Sequence, residues 1–259
     1  MDKSFLSNPE VIAQSRNFVC IRLLSYEDKE EAEFLKSFNV GRSGDAENTV
    51  FCILSSDGKN RLVRPARGTG QVYSSAKAMA ESMGKIALQN PINSAATTKL
   101  AIPYVANLRL ALNVASCDKL PLVVVFKTTK NPTNDLEEKI SKVAWSPEFI
   151  GKFIYVSISN KKDLELLQGA EDESKVLVVQ PDNFGLKGEV LFQTSEVSEL
   201  KLGAVFSEGI LKGQWPALTF WNHVQQGHQK GVFWETKLPV TDKQELSARE
   251  RFRSKSSSK

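Results

Sequence analysis

Short apolar runs alternate with amphipathic stretches through most of this chain. Residues 120–128, LPLVVVFKT, form the strongest run, and residues 18–24 form a second one within NFVCIRLLS. Runs that are apolar at successive positions are typical of strands covered by helices on both faces. Between them, Ala32, Leu35 and Phe38 lie at helical spacing opposite a charged face, which predicts an amphipathic helix. This alternation predicts an α/β fold.

Capping and turn residues mark the boundaries of the predicted elements. Asn8 or Ser7 caps a short helix with Pro9 near its first position, and Ser74 or Ser75 caps a longer one. The turn SSDGKN joins strands at 49–54 and 61–65 into a hairpin. In the second half we predict helices at 104–117, 134–145, 161–168 and 198–210, strands at 120–128 and 153–159, and a hairpin within 174–192.

Two similar halves flank the polar, proline-bounded stretch QNPINSAATTKLAIP. We predict an incomplete first unit at 1–88, a linker at 89–103, a second unit at 104–210, and an aromatic-rich extension with a basic disordered tail at 211–259. SNPEVIAQSRNFVCIRL in the first unit is similar to SPEFIGKFIYVSI in the second, 138 positions later. Helices, strands and a turn follow in the same order, which indicates a tandem duplication.

The order of elements in the second half resembles the thioredoxin-like superfamily. The order is helix, strand, helix, strand, helix, strand, strand, helix, and the Ser-(Asn)-Pro-Glu motif precedes an apolar strand in both halves. The most similar pattern is that of bacterial proteins in which CxxC, a helix, Ser-(Asp/Asn)-Pro-Glu-Val and a strand form the core. The resemblance covers about residues 1–88 and 104–210 and implies two thioredoxin-like units, the first incomplete, with mixed sheets flanked by helices.

The resemblance also implies where a redox site would lie, and no thiol occupies it. In the family a CxxC follows the central strand and a cis-proline faces it. The CxxC positions correspond to residues 131–134 and the cis-proline position to Ser174, or to Asn48 in the first unit. None of these residues is a cysteine, and neither cis-proline position is a proline. We therefore expect a redox-inactive chain whose candidate groove residues are Asn48, Asn131, Pro132, Thr133, Asn134 and Ser174.

The first unit begins after the place where its central strand and CxxC would lie. In the family this strand lies between those equivalent to residues 18–24 and 49–54. Unpaired backbone groups in buried strands cost about 1–3 kcal/mol each. Two explanations remain: Met1 is internal to a longer protein, or another segment or chain supplies the strand.

The cysteines do not form a recognisable site. Cys20, Cys52 and Cys117 are far apart and contain no CxxC pair, so a disulfide framework or a zinc site is not predicted. Cys20 and Cys52 lie in apolar strand patterns and are expected to be buried core residues. Cys117 is expected to be more exposed, and the neighbouring Asp118 opposes thiolate formation.

Composition and charge exclude several classes of protein. The chain has 259 residues and a formal net charge of +4, and it contains no apolar run of membrane-spanning length. No signal peptide is visible, so a cytoplasmic location is expected, or an extracytoplasmic one if a signal lies upstream of Met1. The tail ARERFRSKSSSK is basic, but no positive groove is evident, so nucleic-acid binding is the least favoured function.

Histidine and aromatic residues concentrate near residues 215–234. His223 and His228 have no nearby carboxylate or thiolate partners in sequence, so no metal or other cofactor is expected. Trp215, Trp221 and Trp234 lie in the same stretch. We expect these aromatics to pack over the second unit or between the units, while a partner-binding strip is the alternative.

Two functions follow from these expectations. The first is a truncated or short form of a thiol-disulfide oxidoreductase-like protein, redox-inactive as given, whose thiols would lie upstream. The alternative is a non-catalytic thioredoxin-fold scaffold that binds a protein partner through the groove or the aromatic tail. Whether the chain belongs to an enzyme depends on which is correct.

Overall fold

The computed structural model divides the chain into two compact units. One contains Met1–Ala96 and Trp234–Lys259, and the other contains Thr97–Phe233. The boundary at residue 96 lies inside the predicted linker, while the predicted extension is divided between the units. The structure describes residues 2–38, 50–91, 101–127, 133–232, 237–238, 246–247 and 250–251. Within these ranges the chain is of the mixed α/β class, as predicted.

The first unit contains a two-stranded antiparallel sheet and short helices. Its elements are a π-helix at Asp2–Leu6, α1 (Pro9–Ser15), α2 (Lys29–Phe38), β1 (Phe51–Leu54), β2 (Arg61–Ala66), a 3-10 helix at Thr69–Gln71 and α3 (Ala76–Gln89). The predicted caps are confirmed, since Asn8 accepts from the amides of α1 and Ser75 accepts from the amide of Ala78. The predicted hairpin is confirmed as β1 and β2.

The prediction of a strand at residues 18–24 was wrong. Residues 19–24 lie in no helix or strand, and the side chains of Val19 and Ile21 are 88% and 64% exposed. β-Branched residues fit a pleated surface only when a neighbouring strand supplies one. In the described part of this unit, β1 and β2 pair only with each other. Strand-prone residues without a ladder therefore stay outside the sheet.

The second unit contains a six-stranded mixed sheet. Its elements are β3 (Tyr104–Val105), α4 (Leu108–Asp118), β4 (Leu122–Phe126), α5 (Thr133–Ala144), β5 (Ile154–Ile158), a 3-10 helix at Lys161–Leu166, β6 (Leu167–Gln168), β7 (Val176–Pro181), β8 (Gly188–Thr194), α6 (Glu199–Lys212) and α7 (Phe220–Gln229). The strand order is β3-β5-β4-β7-β8-β6. β4 runs parallel to β5 and antiparallel to β7.

Helices cover both faces of this sheet. α5 and α6 bury Ile140 and Phe206 against one face, and α4 buries Leu112 against the other. All five residues of β4 are buried, which matches the apolar run that predicted the strand. The predicted helix at 104–117 was wrong over its first turn, because Asn107 caps α4 at Leu108 and the preceding residues pair with β5 as β3.

The loop between β7 and β8 packs tightly on α4. Gly185 has φ +64°, and a Cβ added there would lie 2.5 Å from Cα of Asn113. The side-chain amide of Asn113 donates to the carbonyl oxygen of Gly185 at 2.6 Å. Asp182 closes the loop by accepting from the amides of Phe184 and Leu186. The loop therefore requires glycine both for its conformation and for its closeness to the helix.

Candidate functional site

The candidate site lies at the edge of the sheet where β4 ends. Val125 pairs with Val176 across the antiparallel β4–β7 ladder, and the amide of Phe126 donates to the carbonyl oxygen of Lys175 at 2.8 Å. The register thus places Ser174, just before β7, at the same edge as the residues that follow β4. α5 begins at Thr133 after this edge.

Only part of the predicted groove can be placed. Asn131 and Pro132 lie outside the described residues, as do Asn48 and Trp234. Thr133 and Asn134 form the start of α5; the structure describes their backbone but not their side chains.

Ser174 is placed, and its side chain points into the protein. The residue is buried, and its hydroxyl donates to the side-chain oxygen of Gln193 at 3.2 Å. No cis peptide bond occurs among the described residues, so the peptide bond before Ser174 is trans. The hydroxyl is hydrogen-bonded to a residue of β8 and does not face an open groove.

The same edge carries a polar cluster that was not predicted from the sequence. Lys127, the residue after β4, places its ammonium 2.6 Å from Glu137 of α5 and 4.7 Å from the centre of the Tyr104 ring. The hydroxyl of Tyr104 donates to the same carboxylate at 3.1 Å. Lys127 and Glu137 are both partly buried, where an ion pair is stronger than at an open surface. We call these three residues the strand-end cluster.

Electrostatics within the strand-end cluster favour the neutral form of the tyrosine. Burial raises the pKa of the Tyr104 hydroxyl, and the negative charge and hydrogen bond of Glu137 raise it further. The hydroxyl therefore remains a hydrogen-bond donor at physiological pH. The cluster holds an ammonium group at the end of the central strand, where the sequence has no thiol. The sequence does show a lysine, Lys127, directly after a buried strand. Its partner Glu137 lies ten positions later, in the helix that packs on the sheet.

The aromatic residues of the extension divide into two environments. Trp215 is half-buried, whereas Phe220 and Trp221 of α7 are 72% and 75% exposed, with ring centres 5.5 Å apart. The expectation that the aromatics pack against the protein was therefore wrong for Trp221.

One face of α7 packs against the β7–β8 loop of the second unit. Gly227 lies against the ring of Phe184, and the His223 ring is centred 5.0 Å from it. His223 thus has an aromatic partner in the β7–β8 loop. Among the described residues, no group of three or more potential ligands is placed to hold a metal ion.

The three cysteines are free and differ in environment. Cys117 is exposed, as predicted, and Cys52 is half-buried, with its thiol donating to the carbonyl oxygen of Val63 at 3.0 Å. Cys20 is exposed, so its prediction as a core residue was wrong. Although the Cys20 residue is exposed overall, neighbouring atoms desolvate its sulfur and raise the pKa of the thiol. Burial also raises the pKa of Cys52, which disfavours reactive thiolates in the first unit.

Comparisons with known proteins give no relative from which a function can be transferred. No protein-family model, curated protein or solved structure matches the chain. Within the described residues, every helix is too short or too polar to cross a membrane.

Proposed function

We propose that this chain is a thioredoxin-like protein without thiol chemistry that acts by binding a protein partner. The support for the fold assignment is the position of β4 in the second unit. The resemblance implies that the strand before the redox site lies between the strands equivalent to β5 and β7. β4 pairs with both of them.

The observation that carries the functional proposal is the chemistry at the end of β4. Thiol-disulfide exchange needs a cysteine there, near a helix N-terminus that stabilises its thiolate. Residues 127–134 read KTTKNPTN, and the described part of this edge holds the strand-end cluster. A lysine paired to a glutamate can contribute to binding, but it cannot exchange disulfides.

The exposed aromatic pair of α7 is the surface that best fits a protein partner. Aromatic side chains bury large areas at low entropic cost and dominate many protein interfaces. Phe220 and Trp221 are adjacent and largely exposed. These two residues should be substituted first in a test of partner binding. Leu200, which is 87% exposed on α6, is the control residue.

Introducing the absent thiols tests the fold assignment. In a background with all three native cysteines changed to serine, Asn131→Cys/Asn134→Cys places a pair at the positions implied by the resemblance. We expect this pair to form a disulfide that dithiothreitol reduces, and the resulting dithiol to reduce insulin disulfides while becoming oxidised itself. The parent chain should not accelerate insulin reduction by dithiothreitol.

A pair of the same spacing at another helix start provides the control. Asn160 caps the 3-10 helix that begins at Lys161, so Asn160→Cys/Asp163→Cys should show much weaker activity. Equal activity of the two pairs would contradict the thioredoxin-like assignment. Insulin reduction by the unmodified chain would contradict the redox-inactive part of the proposal.

A second candidate function is the oxidoreductase-like protein with thiols upstream of Met1. The observation that favours it is the two-stranded sheet of the first unit in the described residues. Reading the coding frame upstream of Met1 tests it. A strand followed by CxxC supports this function, and an in-frame stop directly upstream refutes it.

A further inference from the structure

The outward side of α6 carries an apolar stripe opposite the side that packs on the sheet. The buried residues of this helix are Leu202, Val205, Phe206 and Gly209. On the other side, Leu200 and Leu211 are 87% and 79% exposed, and Ala204 is exposed between them. Together with Ser207 they follow at spacings of four, three and four, which places them along one line of the helix. We call Leu200, Ala204, Ser207 and Leu211 the α6 seam.

The α6 seam is small at its centre and large at its ends. Ala204 presents a single methyl group, and the hydroxyl of Ser207 donates to Glu148 at 3.2 Å. Leu200 and Leu211 lie about 16 Å apart along the helix axis. Helices that meet at small side chains approach to about 8 Å, so longer side chains on either side of the crossing can then pack across it. The seam therefore has the shape of a helix-packing surface.

The α6 seam is complementary to itself in an antiparallel arrangement. When a two-fold axis passes between residues 205 and 206, Leu200 of each copy lies opposite Leu211 of the other. Ala204 lies opposite Ser207 in the same way. Each leucine thus meets a leucine, and the small residues meet one another at the centre, where the helices approach most closely.

The charged residues beside the α6 seam favour the same arrangement. Lys201 and Glu208 are both exposed and flank the seam on one side, seven positions apart. In the antiparallel pair, Lys201 of one copy lies beside Glu208 of the other, and the two-fold axis repeats this contact. In a parallel pair these residues would face the positions of Gly203 and Ile210, which carry no charge. Charge complementarity therefore identifies an antiparallel second copy as the occupant.

We propose that this chain forms a two-fold symmetric dimer through the α6 seam. The leucine layers provide the apolar burial, and the Lys201–Glu208 pairs set the orientation of the two helices. The contact is one helix long and therefore smaller than a standard interface of about 1,600 Å². We expect a weak dimer with a Kd on the order of 100 μM. The inference does not depend on the proposed thioredoxin-like function.

Sedimentation equilibrium of the full chain over a concentration series tests the dimer. Dithiothreitol is present throughout because Cys20 and Cys117 are exposed. The weight-average mass should rise from 28.8 kDa towards twice that value as the concentration passes the Kd. Leu211→Ser should raise the Kd about tenfold or more, because Leu211 contributes to both leucine layers. Leu88→Ser, at a residue that is 83% exposed on α3, should leave the Kd unchanged.

Exchanging the charges tests the orientation of the two helices. Lys201→Glu and Glu208→Lys each place two like-charged pairs in the dimer, so each variant alone should have a Kd about tenfold higher. In an equimolar mixture of the two variants, both contacts again join a carboxylate to an ammonium group. The mixture should therefore associate as tightly as the parent chain. Lys162→Glu, at an exposed lysine of the 3-10 helix at Lys161–Leu166, should leave the Kd unchanged.

Several results would overturn the inference. They are a chain that is still monomeric at about 1 mM, association that Leu211→Ser does not weaken, and a mixture of the charge variants that associates no better than either alone. A monomer that binds a different protein through the α6 seam would refute the dimer and assign the surface to that protein. Phe220 and Trp221 lie outside the seam, so Leu200 still serves as the control for partner binding at concentrations well below the dimer Kd.

Discussion

Replacing either of two glycines of α6 by alanine should change stability in opposite directions. Gly203 and Gly209 lie in the same helix, so both substitutions gain the same helix propensity, about 1 kcal/mol. At Gly203 the nearest atom to an added Cβ is 4.0 Å away, on Phe149. At Gly209 the added Cβ would lie 2.4 Å from Cγ1 of Val178.

The magnitude of the clash follows from the position of Val178. Ordinary carbon–carbon contacts lie at about 3.5–4.0 Å, so the new methyl group would overlap the valine by more than 1 Å. Val178 is fully buried in β7 and cannot turn outward. Overpacking of this kind costs about 1–3 kcal/mol, and we expect the upper end. Gly209→Ala should therefore destabilise the second unit by about 2 kcal/mol net, and Gly203→Ala should stabilise it by about 1 kcal/mol.

The assay must report on the second unit alone, because two units need not unfold together. Native-state hydrogen exchange of the amides of β4, all of whose side chains are buried, meets this requirement. Val178→Ala should remove most of the penalty when combined with Gly209→Ala, which gives a double-mutant cycle. Equal stabilisation by both glycine substitutions, or a penalty unchanged by Val178→Ala, would refute the packing of α6 on β7.

Three further predictions concern other parts of the protein. Gly185→Ala should destabilise the second unit by about 3 kcal/mol or more, because it adds left-handed backbone strain and overpacking and removes a buried hydrogen bond. Gly151 also has a positive φ, +74°, but a Cβ there would meet open space. Gly151→Ala should therefore cost only about 1–2 kcal/mol. Glu137→Gln should lower the pKa of Tyr104 in a spectrophotometric titration, because it removes the charge that helps to raise that pKa. The alkylation rate of Cys20 should continue to rise above pH 9.0, since its pKa lies above that ordinary value.

Controls for these predictions come from neighbouring groups. Asp135→Asn breaks the exposed Asp135–Lys139 pair in the same helix as Glu137 and should leave the Tyr104 titration unchanged. A plateau of the Cys20 rate below pH 9.0 would contradict the desolvation of its sulfur. Equal destabilisation by Gly185→Ala and Gly151→Ala would contradict the close approach of the loop to α4.

The sequence predicted two kinds of element correctly: strands whose side chains are all buried, and turns and caps that depend on residues close together in the chain. β4 was predicted because five successive apolar residues are typical of a strand covered on both faces. The β1–β2 hairpin and the caps at Asn8 and Ser75 depend on turn and cap chemistry within a few residues. The prediction of a strand at 18–24 was wrong because a strand also needs a neighbouring strand to pair with, and the local sequence does not show whether one is present.

The features of the candidate site were harder to predict because they depend on packing between layers. Lys127 and Glu137 meet only once α5 lies over the end of β4, and Tyr104 joins them from β3, which was expected to be helical. Ser174 lies just before β7, and its hydroxyl donates to Gln193 of β8, a contact that depends on the β7–β8 pairing. α7 contacts Phe184 through His223 and Gly227 and leaves Trp221 exposed, which composition alone does not indicate.

The first unit is built from two separate segments of the chain, and this affects the order in which the protein can fold during synthesis. Its two segments are separated by the 137 residues of Thr97–Phe233, and a backbone hydrogen bond joins the amide of Leu238 to the carbonyl oxygen of Tyr26. At about 5–20 residues per second, the second segment is synthesised roughly 7 to 27 s after the first. The second unit is complete before Leu238 is synthesised. It is therefore expected to fold first, and the nascent first unit must wait without its closing contact.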